Sequence, residues 1–355
     1  MNKNWIICSI FLICNPLLEA RNPRRPASNN TPSITICASD QECAQSWFSI
    51  KIRKAVRRKN NYKLTSQFLR INPLKKGFDS EIFEKYYLPQ NTNLEYRNKQ
   101  GSVNTQLLEQ LAQEVVEEVK VGQKTFHNFT ILKCKDFNFK TLSGLLVLKY
   151  KDYPFVIKIS IEHPHTMAQP YSKSFEANCI FMIGGNFRHL SNFTRIPNLE
   201  NIKDIIRFNP YYLDTIDFPR KWYWKPQNNY DLQITWNQTP YRKEETIIIP
   251  SVYATISDHI DIDDSVSQKE LNKIAMKVAS DTEFLIDPHV GNFVADKQSK
   301  KYTMLDTENF RIMTGLDHTM AAKTYVGWYI EMMSSSLKKY CGRTKKERIQ
   351  QSFYI

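Results

Sequence analysis

The sequence lacks several features that would place it in a special class of protein. It has no apolar run of the ~18–20 residues that a membrane-spanning helix needs. Glycine is scarce, at 10 of 355 residues, and the 16 prolines follow no period, which excludes a collagen-like chain. No repeat of solenoid length is apparent. Hydrophobic residues make up 41% and charged residues 24%, which excludes a disordered chain and is typical of a folded protein.

The first 20 residues have the pattern of a secretory signal peptide. An uncharged apolar run covers 5–14, a proline follows it, and Ala20 offers a small residue for cleavage. An uncleaved N-terminal anchor is the alternative. Of the cysteines that follow, Cys37 and Cys43 are close enough in sequence for a short disulfide loop. The sequence contains no CxxC pair, so a zinc ribbon is not expected. We therefore expect an exported protein, secreted or periplasmic and in one reading directed to a host.

The formal net charge of +13 suggests contact with an acidic partner. Residues 21–50 resemble a linker, and 51–125 are predicted to form a basic, mainly helical extension. Much of the positive charge lies in the run 51–63 and in the tail after 338. The run at 51–63 could bind a polyanion or an anionic surface, or it could be a solvated helix face.

Hydrophobic periodicity separates a helical region from a region of strands. Apolar residues three and four apart predict a helix over 105–120, and Gly122 is expected to end it. The period then changes to that of strands. The predicted strands are 129–134, 145–150, 154–159, 246–250 and 252–256. A short helix is expected at 172–184, whereas the aromatic-rich stretch 185–245 predicts an irregular segment, either a substrate-facing insertion or an ordered loop.

The C-terminal part of the sequence predicts a helix followed by a hairpin. Ser267-Gln-Lys-Glu270 has the pattern of a capping box and begins a helix that ends near Glu283. Strands are expected at 293–295 and 302–305, with a polar turn between them. A last helix is predicted over 319–339.

Five polar residues occur in the order and spacing that phosphoryl transfer requires. Asn292 stands five residues after Asp287, and Asp306 follows after one hairpin, so all three can meet. Lys158 lies on a predicted strand, and Glu176 lies on the predicted helix that follows it. A carboxylate base, two oxygen ligands for Mg²⁺, and a lysine held by a glutamate are the groups that this chemistry needs.

These segments resemble the protein-kinase-like superfamily. Asp287-Pro-His-Val-Gly-Asn292 is similar to the D-x-H-x-G-N loop of aminoglycoside phosphotransferases and of the atypical kinases of ubiquinone biosynthesis, with Val290 in place of the usual proline. The resemblance implies that Asp287 is the catalytic base, that Asn292 and Asp306 bind Mg²⁺, and that Lys158 with Glu176 orients the phosphates of ATP. Where the family has a glycine-rich phosphate loop, this sequence has Gly144 alone.

The resemblance implies an α+β, two-lobed protein-kinase-like fold with an abbreviated C-lobe. The N-lobe would cover 126–258, with the insertion at 185–245, and the C-lobe 259–355. The implied function is phosphotransfer from ATP to an unidentified protein or small-molecule acceptor. Two alternatives remain open from the sequence: a catalytically inactive pseudokinase that acts as an interaction module or effector, and a basic polyanion-binding protein without the kinase fold.

Overall fold

The computed structural model of the chain describes residues 53–54, 61–65, 79–97, 99–161, 192–238, 243–309, 323–328 and 330–331. In these residues the protein has a mixed α+β structure, as expected. The predicted signal peptide at 1–20, the linker at 21–50, the helix at 172–184 and most of the last helix lie outside the described residues.

The helices and strands are numbered in chain order. The helices are α1 (Ser80–Lys85), α2 (Thr105–Lys120), α3 (Arg195–Ile206), α4 (Pro210–Thr215) and α5 (Gln268–Asp281). The strands are β1 (Arg53–Lys54), β2 (Asn61–Thr65), β3 (Asn93–Glu95), β4 (Ser102–Asn104), β5 (Phe129–Lys133), β6 (Phe137–Asn138), β7 (Ser143–Tyr150), β8 (Phe155–Ile161), β9 (Ile216–Asp217), β10 (Lys221–Trp224), β11 (Asp231–Gln238), β12 (Lys243–Pro250), β13 (Val252–Asp258), β14 (Phe293–Ala295) and β15 (Tyr302–Met304). Among the described residues, no helix is both long and apolar enough to cross a membrane.

The main sheet is antiparallel and has β8 at its centre. Its strands follow the order β10-β13-β8-β7-β5, and β6 pairs with the start of β7. The strands predicted at 129–134, 145–150, 154–159 and 252–256 are all confirmed within this sheet. Hairpin turns join β5 to β7 and β7 to β8, so neighbours in sequence become neighbours in the sheet.

Helix α2 covers one face of the main sheet. Its apolar stripe packs on alternate residues of β7 and β8, including Leu148 and Ile157, and all of these side chains are fully buried in one core. The helix is confirmed over 105–120, and Gly122 follows it with a φ of +83°. The amides of Gly122 and Gln123 bond back to the carbonyls of Val119 and Glu118, which is the Schellman pattern that favours glycine at this position.

The basic extension differs from the helical prediction for 51–125. Strand β2 lies parallel to β11, and β11 pairs with β12, so the segment around 61–65 completes a four-stranded sheet with β1 at its edge. Strands β3 and β4 form a hairpin before α2. The helical prediction is therefore correct for α1 and α2 and wrong for β1 to β4. The charge and the local periodicity of residues 51–63 did not reveal β11, the distant strand with which β2 forms its backbone hydrogen bonds.

The stretch 185–245 is more regular than its composition indicated. It contains α3 and α4, and it also contributes β10 to the main sheet and β11 to the four-stranded sheet. Some of its aromatic residues fill space between elements: Tyr223 and Trp224 are almost fully buried, and Phe83 stacks on Tyr223. Packing in an ordered segment accounts for these side chains, whereas Phe208, Tyr211 and Tyr230 are exposed.

A second cluster of buried residues forms around α5. The apolar stripe of this helix, including Ile274 and Val278, packs with α3, α4 and the hairpin of β14 and β15. The predicted capping residue is confirmed, because the Ser267 hydroxyl accepts a hydrogen bond from the Glu270 amide. The hairpin expected after the helix is also confirmed, with Leu305 directly after β15.

Candidate functional site

Lys158 on β8 faces away from the core that α2 covers. Its neighbours Ile157 and Ile159 are buried in that core, and a strand turns successive side chains to opposite faces. The Lys158 ammonium lies 3.6 Å from Oδ2 of Asp306, which follows β15 directly. The main sheet and the second cluster therefore meet at this ion pair.

Asp306 is held by several cations. Arg195, at the start of α3, donates from Nε to Oδ1 at 2.8 Å and from Nη2 to Oδ2 at 3.1 Å, which is bidentate geometry. The same Nη2 also donates to Glu308 at 3.2 Å. Burial alone would raise the pKa of Asp306, but Arg195, Lys158 and Lys221 hold it well below its usual value. Asp306 is therefore ionised at neutral pH.

Lys221 extends from β10 to the chain that follows β15. Its ammonium donates to the Leu305 carbonyl at 3.0 Å and to the Thr307 hydroxyl at 2.9 Å. Burial and the nearby Lys158 charge lower the pKa of Lys221 well below its ordinary value. This lysine positions the residues on both sides of Asp306.

Asp287 and Asn292 lie in the loop between α5 and β14. The amide of His289 donates to Asp287 Oδ1 at 3.0 Å, and the side-chain amide of Asn292 donates to the Asp287 carbonyl at 3.1 Å. The backbone amide of Leu305 bonds to the Asn292 carbonyl at 2.8 Å, which fixes this loop beside Asp306. The hairpin thus brings Asp287, Asn292 and Asp306 together.

The charge state of Asp287 differs from that of Asp306. Burial raises its pKa to about 7, and the negative charges of Glu308 and Asp306 act in the same direction, against the hydrogen bond from the His289 amide. The pKa values of Asp287 and Asp306 are therefore shifted in opposite directions. This arrangement suits a general base next to a carboxylate that stays ionised.

The backbone before Asp287 adopts a conformation that residues with side chains rarely take. Glu283 and Phe284 have φ values of +53° and +55°, and their amides close the Schellman pattern at the end of α5. Phe284 is buried and stacks on Trp328 with 6.3 Å between ring centroids. This packing compensates for the unfavourable φ and directs the chain into the Asp287 loop.

The beginning of α3 holds the segment after Asp306 from the other side. The Asn198 side chain donates to the carbonyls of Leu285 at 3.2 Å and of Thr307 at 3.0 Å. The Thr307 hydroxyl in turn donates to the Arg195 carbonyl at 2.6 Å. Through Asn198, one side chain connects the segment before Asp287 with the segment after Asp306.

Around Lys158 lie buried polar atoms that have no hydrogen-bond partner among the described residues. They belong to Arg195 (Nη1), Thr255 (Oγ1) and Asn192 (Oδ1). Thr255 pairs with Lys158 across β13 and β8, so both side chains lie on the same face of the sheet. The other Asn192 polar atom, Nδ2, donates to Ser160, two residues after Lys158. Because an unpaired buried polar atom is costly, its clustering here is typical of a site that binds a polar ligand.

Four of the residues predicted from the sequence occur together. Lys158 forms an ion pair with Asp306, and Asn292 donates a hydrogen bond to Asp287. The negative charge of Asp306 raises the pKa of Asp287, as does that of Glu308. Glu176 lies outside the described residues.

Gly144 is explained by the local backbone. Its φ is +115°, and a Cβ there would collide with the Asp136 carbonyl where β6 meets β7. A binding role for this glycine stays a prediction.

The sequence interpretation missed Arg195, Lys221 and Glu308. Arg195 and Lys221 lie in the stretch that was interpreted as irregular, and their partners are roughly a hundred positions further along the chain. Glu308 carried a weak signal, since it is the second acidic residue of Asp306-Thr-Glu308. Only the fold shows that Arg195 binds both carboxylates.

Chemically, the site combines the cations Lys158 and Arg195 with two carboxylates, Asp287 and Asp306, whose pKa values differ. Such a site can hold an anion next to a base. No protein-family model matches the chain, and no curated protein matches it either.

Proposed function

We propose that this protein is a kinase-like phosphotransferase that moves the γ-phosphoryl group of ATP to an acceptor hydroxyl. The observation that supports it best is the Lys158–Asp306 ion pair of 3.6 Å beside the Asp287–Asn292 loop. The order of the elements agrees with the proposal. Lys158 is on the third of the long strands β5, β7 and β8, which is where protein kinases carry their phosphate-binding lysine.

In this proposal Asp287 is the base that accepts the proton of the acceptor hydroxyl. A pKa of about 7 suits that role, because a base close to the working pH is ionised and still basic. Lys158 binds the phosphates, and its pKa lies below the ordinary value because the effect of burial exceeds the opposing effect of Asp306. The unpaired Nη1 of Arg195 offers a further donor to a phosphate oxygen.

Asn292 and Asp306 have the oxygen donors that Mg²⁺ prefers. Bound there, Mg²⁺ would neutralise charge on the phosphates. Both Asp306 oxygens accept hydrogen bonds from Arg195, so Mg²⁺ would have to use the remaining lone pairs of a carboxylate that a guanidinium already neutralises. Arg195 therefore competes with Mg²⁺ for the Asp306 carboxylate.

The Arg195 contact favours a second candidate function, a pseudokinase that binds a nucleotide without transferring its phosphate. Arg195 already neutralises the carboxylate that a catalytic kinase uses for its metal. In this candidate the protein would act as an interaction module. ATP would bind equally well with and without Mg²⁺.

Thermal unfolding of the full chain with ATP, with and without Mg²⁺, separates these candidates. Ligand at 100 times Kd adds about 2.7 kcal/mol to the free energy of unfolding. Stabilisation that requires Mg²⁺, together with transfer of labelled γ-phosphate, supports phosphotransfer. Stabilisation by ATP alone, without transfer, supports the pseudokinase. No stabilisation by either form would contradict both.

Substitution of the base tests the chemistry directly. Asp287→Asn keeps an oxygen that can accept the His289 hydrogen bond, so the fold should persist while transfer falls at least about a hundredfold. The matched control is Asp264→Asn, which changes an exposed aspartate in the loop before α5 and should leave transfer unchanged. If Asp287→Asn keeps full activity, the assignment of the base is wrong.

A further inference from the structure

A cavity of about 100 Å³ lies at the other end of β7 from Gly144, and it is separate from the candidate functional site. Three parts of the molecule form it: the turn from β7 to β8, the turn between β3 and β4, and the segment that follows β13. Gln298, from the turn between β14 and β15, completes the wall. The cavity therefore lies where the main sheet, the hairpin of β3 and β4, and the hairpin of β14 and β15 meet.

The lining of this cavity contains more basic than acidic residues. It contains Arg97 and three lysines, Lys99, Lys149 and Lys151, against the acids Asp152 and Asp261. Arg97 forms ion pairs with Asp217 and Asp296, outside the lining.

The three lysines have no acidic partner among the described residues. Lys151 donates to the backbone carbonyls of Phe126 and His127, and Lys99 lies 5.1 Å from the centre of the Tyr96 ring. Their positive charge is therefore only partly balanced within the lining, where Asp152 and Asp261 are the acids.

The positive charge of the cavity affects the pKa of His259, which is part of the lining. Burial lowers its pKa, and the positive charges of Lys149 and Lys99 lower it further, against the opposing effect of Asp261, whose carboxylate is 3.4 Å away. The two lysines are thus close enough to act on one imidazole. The lining holds four cations against two acids, and an excess of positive charge around a concave surface attracts an anion.

Neutral donors line the same wall. Burial raises the pKa of Tyr96, so its hydroxyl keeps its proton, and Tyr153 lies close enough to contribute to the same shift. Ammonium groups and hydroxyls around a small cavity match the several oxygens of a tetrahedral anion better than the two oxygens of a carboxylate.

We propose that this cavity binds a small phosphate-class oxyanion, either inorganic phosphate or the phosphate of a small monoester. The anion would contact Lys99 and Lys149 and would join the turn of the main sheet to the segment after β13. The site does not depend on the proposed phosphotransfer, since its lining shares no residue with the candidate functional site.

Calorimetric titration of the full chain with inorganic phosphate at constant ionic strength tests the proposal. We expect one saturable site, and the double variant Lys99→Gln/Lys149→Gln should weaken binding about tenfold or more. Lys269→Gln/Lys273→Gln removes the same net charge from the exposed face of α5 and should leave the affinity unchanged. Equal weakening by both double variants, or no saturable binding by the wild-type chain, would overturn the proposal.

Two further measurements locate the anion. NMR of His259 should show its pKa rising when phosphate replaces chloride, because a dianion favours the imidazolium form. Binding should also persist in Lys158→Met. If Lys158→Met abolishes binding while the cavity variant retains it, phosphate occupies the candidate functional site and the proposal fails. Titration with glycerol 3-phosphate distinguishes the two sources, since a site for free phosphate alone would exclude the ester.

Discussion

At Asp287 the role proposed for the side chain, a general base, opposes the stability of the fold. Its pKa in the folded protein is about 7, whereas an exposed aspartate titrates near 3.9. Between about pH 4 and pH 7 the unfolded chain has released this proton and the folded chain still holds it. A rise in pH through this window therefore favours unfolding, and the ionised carboxylate costs stability at neutral pH.

We predict that Asp287→Asn stabilises the protein above pH 7, by about 1–3 kcal/mol, because the amide carries no charge to bury. The gain should shrink as the pH falls from 7 and approach zero below about pH 4, where the wild-type carboxyl is protonated in both states. Urea unfolding at pH 5 and pH 8 measures the difference. A gain that is the same at both pH values would show that Asp287 is ionised throughout.

The same titration predicts the pH dependence of the proposed phosphotransfer. Since the base must be ionised, the rate should rise as the pH increases through about 7 and then level off. Initial rates between pH 5.5 and 8.5 provide the test. A rate that is already maximal at pH 5.5 would exclude Asp287 as the base whose ionisation limits the reaction.

Arg195 is the residue on which the buried charges depend. It is 3% exposed and binds both Asp306 and Glu308. We predict that Arg195→Met lowers the free energy of unfolding by about 3–5 kcal/mol, because the buried carboxylate of Glu308 loses its ion pair and the partly buried carboxylate of Asp306 loses its bidentate one. The control Arg207→Met removes an exposed partner of Asp204 and should cost about 0–1 kcal/mol.

The Arg195 prediction has its own pH dependence. In the wild-type protein the lowered pKa of Asp306 contributes stability above its ordinary value near 4, and this contribution is lost as the pH falls below that value. Without Arg195 the buried carboxyl would take up its proton at a higher pH. The difference between the two proteins should therefore narrow from pH 7 towards pH 4. An unchanged difference would show that lost packing, and not lost charge pairing, causes the effect.

At the scale of elements, the turn between β6 and β7 depends on Gly144. We predict that Gly144→Ala lowers the free energy of unfolding by at least about 2 kcal/mol, because the new methyl group meets the Asp136 carbonyl at a φ of +115°. Gly122→Ala is the matched control. It also has a positive φ, but nothing lies within 4 Å of its Cβ position, so it should cost about 1 kcal/mol. Chemical denaturation of both variants measures the difference, and equal losses would contradict the steric explanation.

At the scale of the whole molecule, the four-stranded sheet joins distant parts of the chain. β2 pairs in parallel with β11 from Asn61↔Gln233 to Thr65↔Asn237. Deletion of residues 1–66 should leave an open edge on β11 and promote self-association, because an unpaired edge strand presents its backbone groups to other chains.

Light scattering after size-exclusion chromatography tests this expectation. Deletion of residues 1–50 is the control, since it keeps both β1 and β2. If both deletions remain monomeric, the pairing of β2 does not protect this edge.

The site was predictable where its spacing is local. Asp287 and Asn292 share one loop, and a single hairpin brings Asp306 back to it, so a short stretch of sequence indicated this grouping. Lys158 was included because phosphoryl transfer needs a lysine on a strand that precedes a helix with a glutamate, and the ion pair with Asp306 now provides a physical basis for it. Helix α2, the cap at Ser267 and the strands of the main sheet were predictable for a similar reason, since periodicity and capping are short-range properties.

Arg195 and Lys221 could be recognised only in the tertiary structure. Local pattern determined which segments form α2, α5 and the strands, because backbone hydrogen bonding and side-chain direction repeat over a few residues. The fold decided which distant charges meet: Arg195 contacts Asp306, which is 111 positions away, and Lys221 contacts Thr307, which is 86 positions away. Burial at that meeting point then sets the pKa values of Asp287 and Asp306, since the energy of a charge depends on the solvent and the charges around it, and not on its neighbours in sequence.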